Sequence, residues 1–162
     1  MINIITAEHE TDTAGMHVEG GKEEGAKAEA EAPADAGPDP VLAMLADASV
    51  SKGEAAAGIC KGCHTVDKGG PNTVGPNLWN IVDRPVGSHE GYDYSTAVKD
   101  HGGDWTYAAL DDMIEHPAVH IPGTKMAMFP GIPDAKKRAD IIVYLRTLSD
   151  DPKPLPEEGG SE

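Results

Sequence analysis

"GICKGCHTV", residues 58–66, holds both cysteines of this 162-residue chain, Cys60 and Cys63, with His64 directly after the second. Cysteines three apart lie on one helical turn, so both sulfurs face the same way. Three chemistries use such a group: a redox dithiol, half of a zinc site, and covalent attachment of a haem. A zinc ribbon needs a second ligand pair, and no second C-x-x-C exists. His89, His101, His116 and His120 lack finger-like spacing. A thioredoxin-type dithiol needs a βαβ setting, and no run here alternates like a strand. Two unmodified thiols at a helix end are the plain alternative. C-x-x-C-H is the attachment pattern of c-type haem, and this reading is preferred. Two thioethers would reach two vinyl groups on one porphyrin edge. His64 would then set its imidazole under the iron as the proximal ligand.

Composition agrees with a large group filling the centre. Only seven aromatic residues occur: Trp79, Tyr92, Tyr94, Trp105, Tyr107, Phe129 and Tyr144. A domain of ~100 residues ordinarily fills its core with apolar rings. Net charge is −15, and it is uneven. Residues 1–46 hold ten acids and two bases, 47–150 fourteen acids and ten bases, and 151–162 four acids and one base. Nucleic acid is excluded as a partner, because its phosphates would be repelled.

The ends and the middle read differently. Residues 1–40, including "EGGKEEGAKAEAEAPADAGPDP", are Ala, Glu, Gly and Pro with almost no large apolar side chain. They are expected to form an extended, disordered acidic linker. Residues 151–162 are expected to be a disordered acidic tail. Between them lies one expected domain, 41–150, opening on the short apolar patch "VLAML" at 41–45. "SVSKGEAAAGICKGC" predicts a helix ending at the cysteines, with Ser51 and Glu54 at capping-box spacing. From His64 to Val98 there is little periodicity and many turn formers. A loop that long is tolerable if it wraps a large apolar ligand. "TYAALDDMIEHP" predicts a short helix stopped by Pro117. In "DAKKRADIIVYLRTLS", Ile141, Tyr144, Leu145 and Leu148 recur at i, i+3, i+4, i+7, which predicts the longest helix. The fold class is all-α with long loops.

Several motifs in order now carry a resemblance: "CKGCHTVDKGGPNTVGPNL" at 60–78, "GYDYSTA" at 91–97, Trp105, "PGTKM" at 122–126 and "RADIIVYL" at 138–145. Over roughly residues 50–148 the chain resembles class I cytochrome c, the mitochondrial type and its bacterial relatives. The resemblance implies terminal helices crossing around one haem c, held covalently through Cys60 and Cys63. It implies His64 and Met126 as the two iron ligands, a thioether favouring ferrous iron. Pro76 would accept the His64 Nδ1–H. Arg84, Tyr94, Trp105 and Thr124 would bond the propionates. Gly53 and Tyr144 would pack where the helices cross. Three departures stand out. Met113 replaces a tyrosine frequent beside the distal sulfur. "AMFPGI" after Met126 is one residue longer, making Met128 a rival ligand, with His120 a more distant one. Ala56 stands where relatives often carry phenylalanine.

The function implied is that of a single-electron carrier, not an enzyme. It would pass electrons from a quinol–cytochrome c reductase to a terminal cytochrome c oxidase. The competing readings are a haem enzyme or gas binder with a labile sixth ligand, and a fixed electron-entry subunit of a larger complex. Haem c is attached outside the cytoplasm, and the linker resembles those of membrane-anchored bacterial cytochromes c. A monomer on the periplasmic side of the inner membrane, tethered by an N-terminal anchor ahead of Met1, is therefore expected. Lys61, Lys125 and Lys136-Lys137-Arg138, extended by Lys52 and Lys68, are expected to form a basic rim for acidic partners.

Overall fold

The computed structural model describes residues 39–156, which belong to one unit, Asp35–Glu162. The expected linker up to residue 38 and the tail from residue 157 lie outside the described residues. Six α-helices are formed: α1 Pro40–Met44, α2 Val50–Ala56, α3 Thr96–His101, α4 Tyr107–Glu115, α5 Pro117–His120 and α6 Ala135–Thr147. Short 3₁₀ turns cover Leu45–Asp47, Ala57–Gly62 and Lys125–Met128. Among the described residues the nearest thing to a strand is one isolated bridge between Pro85 and Asp104.

Helix α6 is the spine. Asp134 caps it by accepting the Lys137 N–H at 3.2 Å. Ala139, Ile141, Ile142, Val143, Tyr144 and Leu145 are all buried, so burial overrides the weak helix preference of the β-branched run. Helices α1, α2 and α4 pack on it. The "VLAML" patch docks, with Val41 and Leu45 essentially inaccessible. Pro40 pre-sets the first turn of α1, and Asp39 accepts the Val41 N–H at 2.9 Å.

The crossing of α2 and α6 depends on Gly53. A Cβ there would overlap the Asp140 carbonyl and lie 2.9 Å from the Tyr144 Cβ. Asp140 also accepts the Ser49 N–H at 2.7 Å. One detail differs from the sequence expectation. The cap of α2 is Ser49, whose hydroxyl accepts the Lys52 N–H at 3.4 Å, because the helix starts at Val50 rather than two residues later. Ala57 is fully buried at the crossing and Ala56 is half-buried.

Arg138 is also corrected. It is buried at 5% exposure and cannot belong to a surface rim. Its Nε donates to Asp111 Oδ1 at 2.5 Å and Nη2 to Oδ2 at 3.2 Å, a two-pronged pair between α6 and α4. Nη1 lies 3.1 Å from Glu115 Oε1 and donates to the Ile132 and Pro133 carbonyls at 2.9 Å each. At the C-terminal side the chain after α6 is held down. Tyr107 Oη donates to the Lys153 and Pro154 carbonyls, Arg146 to that of Lys153, and Leu155 packs on the core.

Candidate haem site

The segment from Cys63 to Ser95 has no helix, yet its backbone is held throughout. Asn77, 2% exposed, is its hub. Its Nδ2 donates to Thr65 Oγ1 at 2.8 Å and to the Asp67 carbonyl at 2.9 Å, and its Oδ1 accepts the Trp79 N–H at 2.9 Å. Thr65 donates to Pro71, Thr73 to Cys63 and Tyr92 to Val74, each through a hydroxyl to a carbonyl at 2.6–2.7 Å. Side chains thus replace the ladder bonds a helix or sheet would supply.

This segment, α4 and the 122–129 stretch enclose a cavity of about 1160 Å³, its open mouth included. Cys60, Cys63 and His64 line it from the first helical end. Pro76 and Arg84 line it from the loop, with Tyr94 and Trp105 beside them. Thr124 and Met126 line it from the far side. All nine residues singled out in the sequence therefore face one space. Val98 of α3 and Leu110, Met113 and Ile114 of α4 supply much of its apolar wall. The last three share one face of the predicted helix, and Val98 carries no such signal.

Local geometry fits a haem. His64 Nδ1 lies 2.7 Å from the Pro76 carbonyl, which makes that nitrogen the donor and leaves Nε2 as the lone-pair nitrogen. Burial holds the imidazole below its ordinary value, and the bond to Pro76 opposes this only in part. Gly75 backs the ring: a Cβ there would overlap it. Arg84 donates through Nη1 and Nη2 to the Asn77 carbonyl and through Nη1 to that of Trp79, all at 3.2 Å. Its Nε is buried without a partner. An orphaned guanidinium donor at a cavity wall suits a carboxylate such as a propionate. Burial raises the Cys60 thiol, the reverse of what a reactive dithiol needs. Neither sulfur is in a disulfide. No cluster of three or more His, Cys, Asp or Glu side chains suited to a bare metal ion occurs among the described residues.

The three methionines separate. Met113 is buried in the wall, Met126 is half-buried against the core, and Met128 is 80% exposed at the mouth. Thr124 orients the turn that carries Met126 by accepting its N–H at 3.2 Å. His120 does not line the cavity. Its Nδ1 lies 3.6 Å from Asp112 Oδ2, and its ring is 6.5 Å from that of Trp105.

A helical shell around a C-x-x-C-H motif, with an imidazole and a thioether in one apolar cavity, defines a small haem-binding domain. The Cytochrome c family model matches residues 50–149, and the chain belongs to that family, whose members are electron carriers with a covalently bound haem c. The chain is 48% identical over 137 residues to a cytochrome c homolog of Bradyrhizobium diazoefficiens, a match spanning 84% of this chain and 70% of the relative. It is 44% identical over 108 residues to the cytochrome c-type cyt cy of Rhodobacter capsulatus, spanning 63% of this chain and 53% of that protein. Among solved structures it resembles cytochrome cH from Methylobacterium extorquens, with a TM-score of 0.57 and 43% identity over 61% of this chain and 98% of the other.

Proposed function

We propose that the protein is a single-electron carrier in which His64 and Met126 would hold the iron of haem c. The observation that carries this is the joint presence of the His64 ring, bonded through Nδ1 to the Pro76 carbonyl, and the Met126 thioether in one apolar cavity. When bound, the haem supplies a one-electron ferric/ferrous couple. The chain's own residues do the rest. Cys60 and Cys63 fix the group covalently, and Pro76 sets the His64 tautomer and orientation. Met126 would be the thioether that holds the iron together with His64, and Arg84 Nε, Tyr94, Trp105 and Thr124 would receive the propionates.

The donor in this reading is a quinol–cytochrome c reductase and the acceptor a terminal cytochrome c oxidase, with the protein acting as a monomer outside the cytoplasm. The acidic Ala/Pro-rich segment before residue 41 suits a spacer between a membrane anchor and the haem domain. No described helix is long and apolar enough to cross a membrane. The ligand assignment is tested by Met126→Ala, which should open the iron to carbon monoxide and lower the reduction potential, while Met128→Ala should do neither. Carbon monoxide binding by Met128→Ala alone would transfer the ligand role to Met128.

A further inference from the structure

We propose that Arg138 and Asp111 are positioning residues for the iron ligand: they fix the stretch that carries Met126 against α4, and so set where its thioether stands in the cavity. This rests on the ligand reading above and adds the residues that enforce it. Arg138 uses its whole guanidinium. Nε and Nη2 donate to the two Asp111 oxygens on α4 at 2.5 and 3.2 Å, and Nη1 donates to the Ile132 and Pro133 carbonyls at 2.9 Å each. Ile132 and Pro133 lie at the end of the stretch that runs from Met126 to α6. Ile132 in turn donates its N–H to the Ile114 carbonyl of α4 at 2.9 Å. Gly131 has φ +85°, and a Cβ there would overlap the Glu115 carbonyl. Residues 131–133 are therefore stapled to the last turn of α4, and Arg138 ties that junction to α6.

The staple reaches the cavity by short paths. Ile132 is six positions beyond Met126, and between them the Phe129 N–H donates to the Met126 carbonyl at 2.9 Å. Ile114, whose carbonyl takes the staple, lines the same cavity as Met126 and Phe129. The other end of the stretch is held locally, where the Thr124 N–H donates to the carbonyl of buried Ile121 at 3.0 Å. Only the Arg138 end is fixed across long range. Stability does not account for the ion pair. Asp111 and Arg138 are 3% and 5% exposed, and burial pushes the Asp111 carboxyl up although the guanidinium opposes it. Well-packed apolar side chains often stabilise a core as well as a buried ion pair, or better. What they lack is the directed, two-pronged bonding that fixes where a carboxylate and two carbonyls lie relative to one another.

The test uses the holoprotein. Asp111→Leu with Arg138→Met replaces the pair by apolar side chains, and the urea midpoint should equal or exceed that of the wild type. Amide exchange at Phe129 and Ile132 should nonetheless rise by about tenfold or more, while the α2–α6 crossing stays protected. The reduced protein should bind carbon monoxide at least about tenfold more tightly, with a lowered reduction potential. Arg138→Lys keeps the charge but cannot span Asp111 and both carbonyls. It should open the iron to a smaller extent, and it carries the test should the double variant not fold. Lys68→Ala removes an exposed pair with Asp150 and should change none of these readouts. Wild-type exchange and wild-type carbon monoxide affinity in the folded double variant would overturn the proposal. So would a lower urea midpoint with exchange raised equally in every helix, which would make the pair a general strut. If Met126→Ala leaves the iron closed to carbon monoxide, the ligand reading has failed. An iron closed in the double variant but open in Met126→Ala refutes the positioning role alone.

Discussion

The α2–α6 crossing and the 63–95 segment hold together by different means. The crossing is built from repeating apolar contacts: Ala57, Ala139, Ile142 and Tyr144 are buried, and Gly53 lets two backbones touch. The loop has no periodic face. Its order comes from single side chains such as Asn77, Thr65 and Arg84 that satisfy scattered carbonyls and amides. One region makes its own core, and the other is a wall shaped around a cavity. The lesson is that the two should fail independently when struck at their own weak points.

The largest effect is expected at the crossing. Gly53→Val would push a side chain into the Asp140 carbonyl, and urea unfolding should show a loss of about 3 kcal/mol or more. A loss under about 0.5 kcal/mol would mean the helices separate easily and the contrast is false. Asn77→Ala strikes the other region. It leaves the Asp67 carbonyl and Trp79 amide without their buried partner, at a cost of about 2 kcal/mol. Amide exchange should accelerate across residues 65–79 while α2 and α6 stay protected. Equal acceleration in both regions would show that they open as one unit.

The smallest effect concerns pH. Burial holds His120 below its ordinary value, with Asp112 partly opposing and His101 adding to it. Its Nε2 is buried without a partner, and the His101 ring lies 5.1 Å away. The unfolded chain therefore binds this proton more readily than the folded one. Stability is complete above about pH 6.5 and declines as pH falls through the lower folded value. His120→Phe should flatten that decline in a series of urea unfolding curves at falling pH. An unchanged slope would place the pH sensitivity elsewhere.

The difference between the two regions also explains what was legible in the sequence. Helix α6 announced itself through Ile141, Tyr144, Leu145 and Leu148 at helical spacing, and α4 through Leu110, Met113 and Ile114. The motif residues from Cys60 to Met126 could be listed, and they meet in one cavity. Pairing was not legible. Arg138 sits in a run of bases, and nothing local says that Asp111, 27 residues earlier, faces it from another helix. The pairing of Lys125 with Asp93 is likewise a long-range fact.

The central claim is that a covalently held haem is the core of this cavity. It is tested most directly by extracting the purified holoprotein with acidified acetone. Thioether bonds from Cys60 and Cys63 predict that all haem absorbance stays with the precipitated protein, and that Cys60→Ser with Cys63→Ser releases it. Haem passing into the acetone from the unaltered protein would contradict the account.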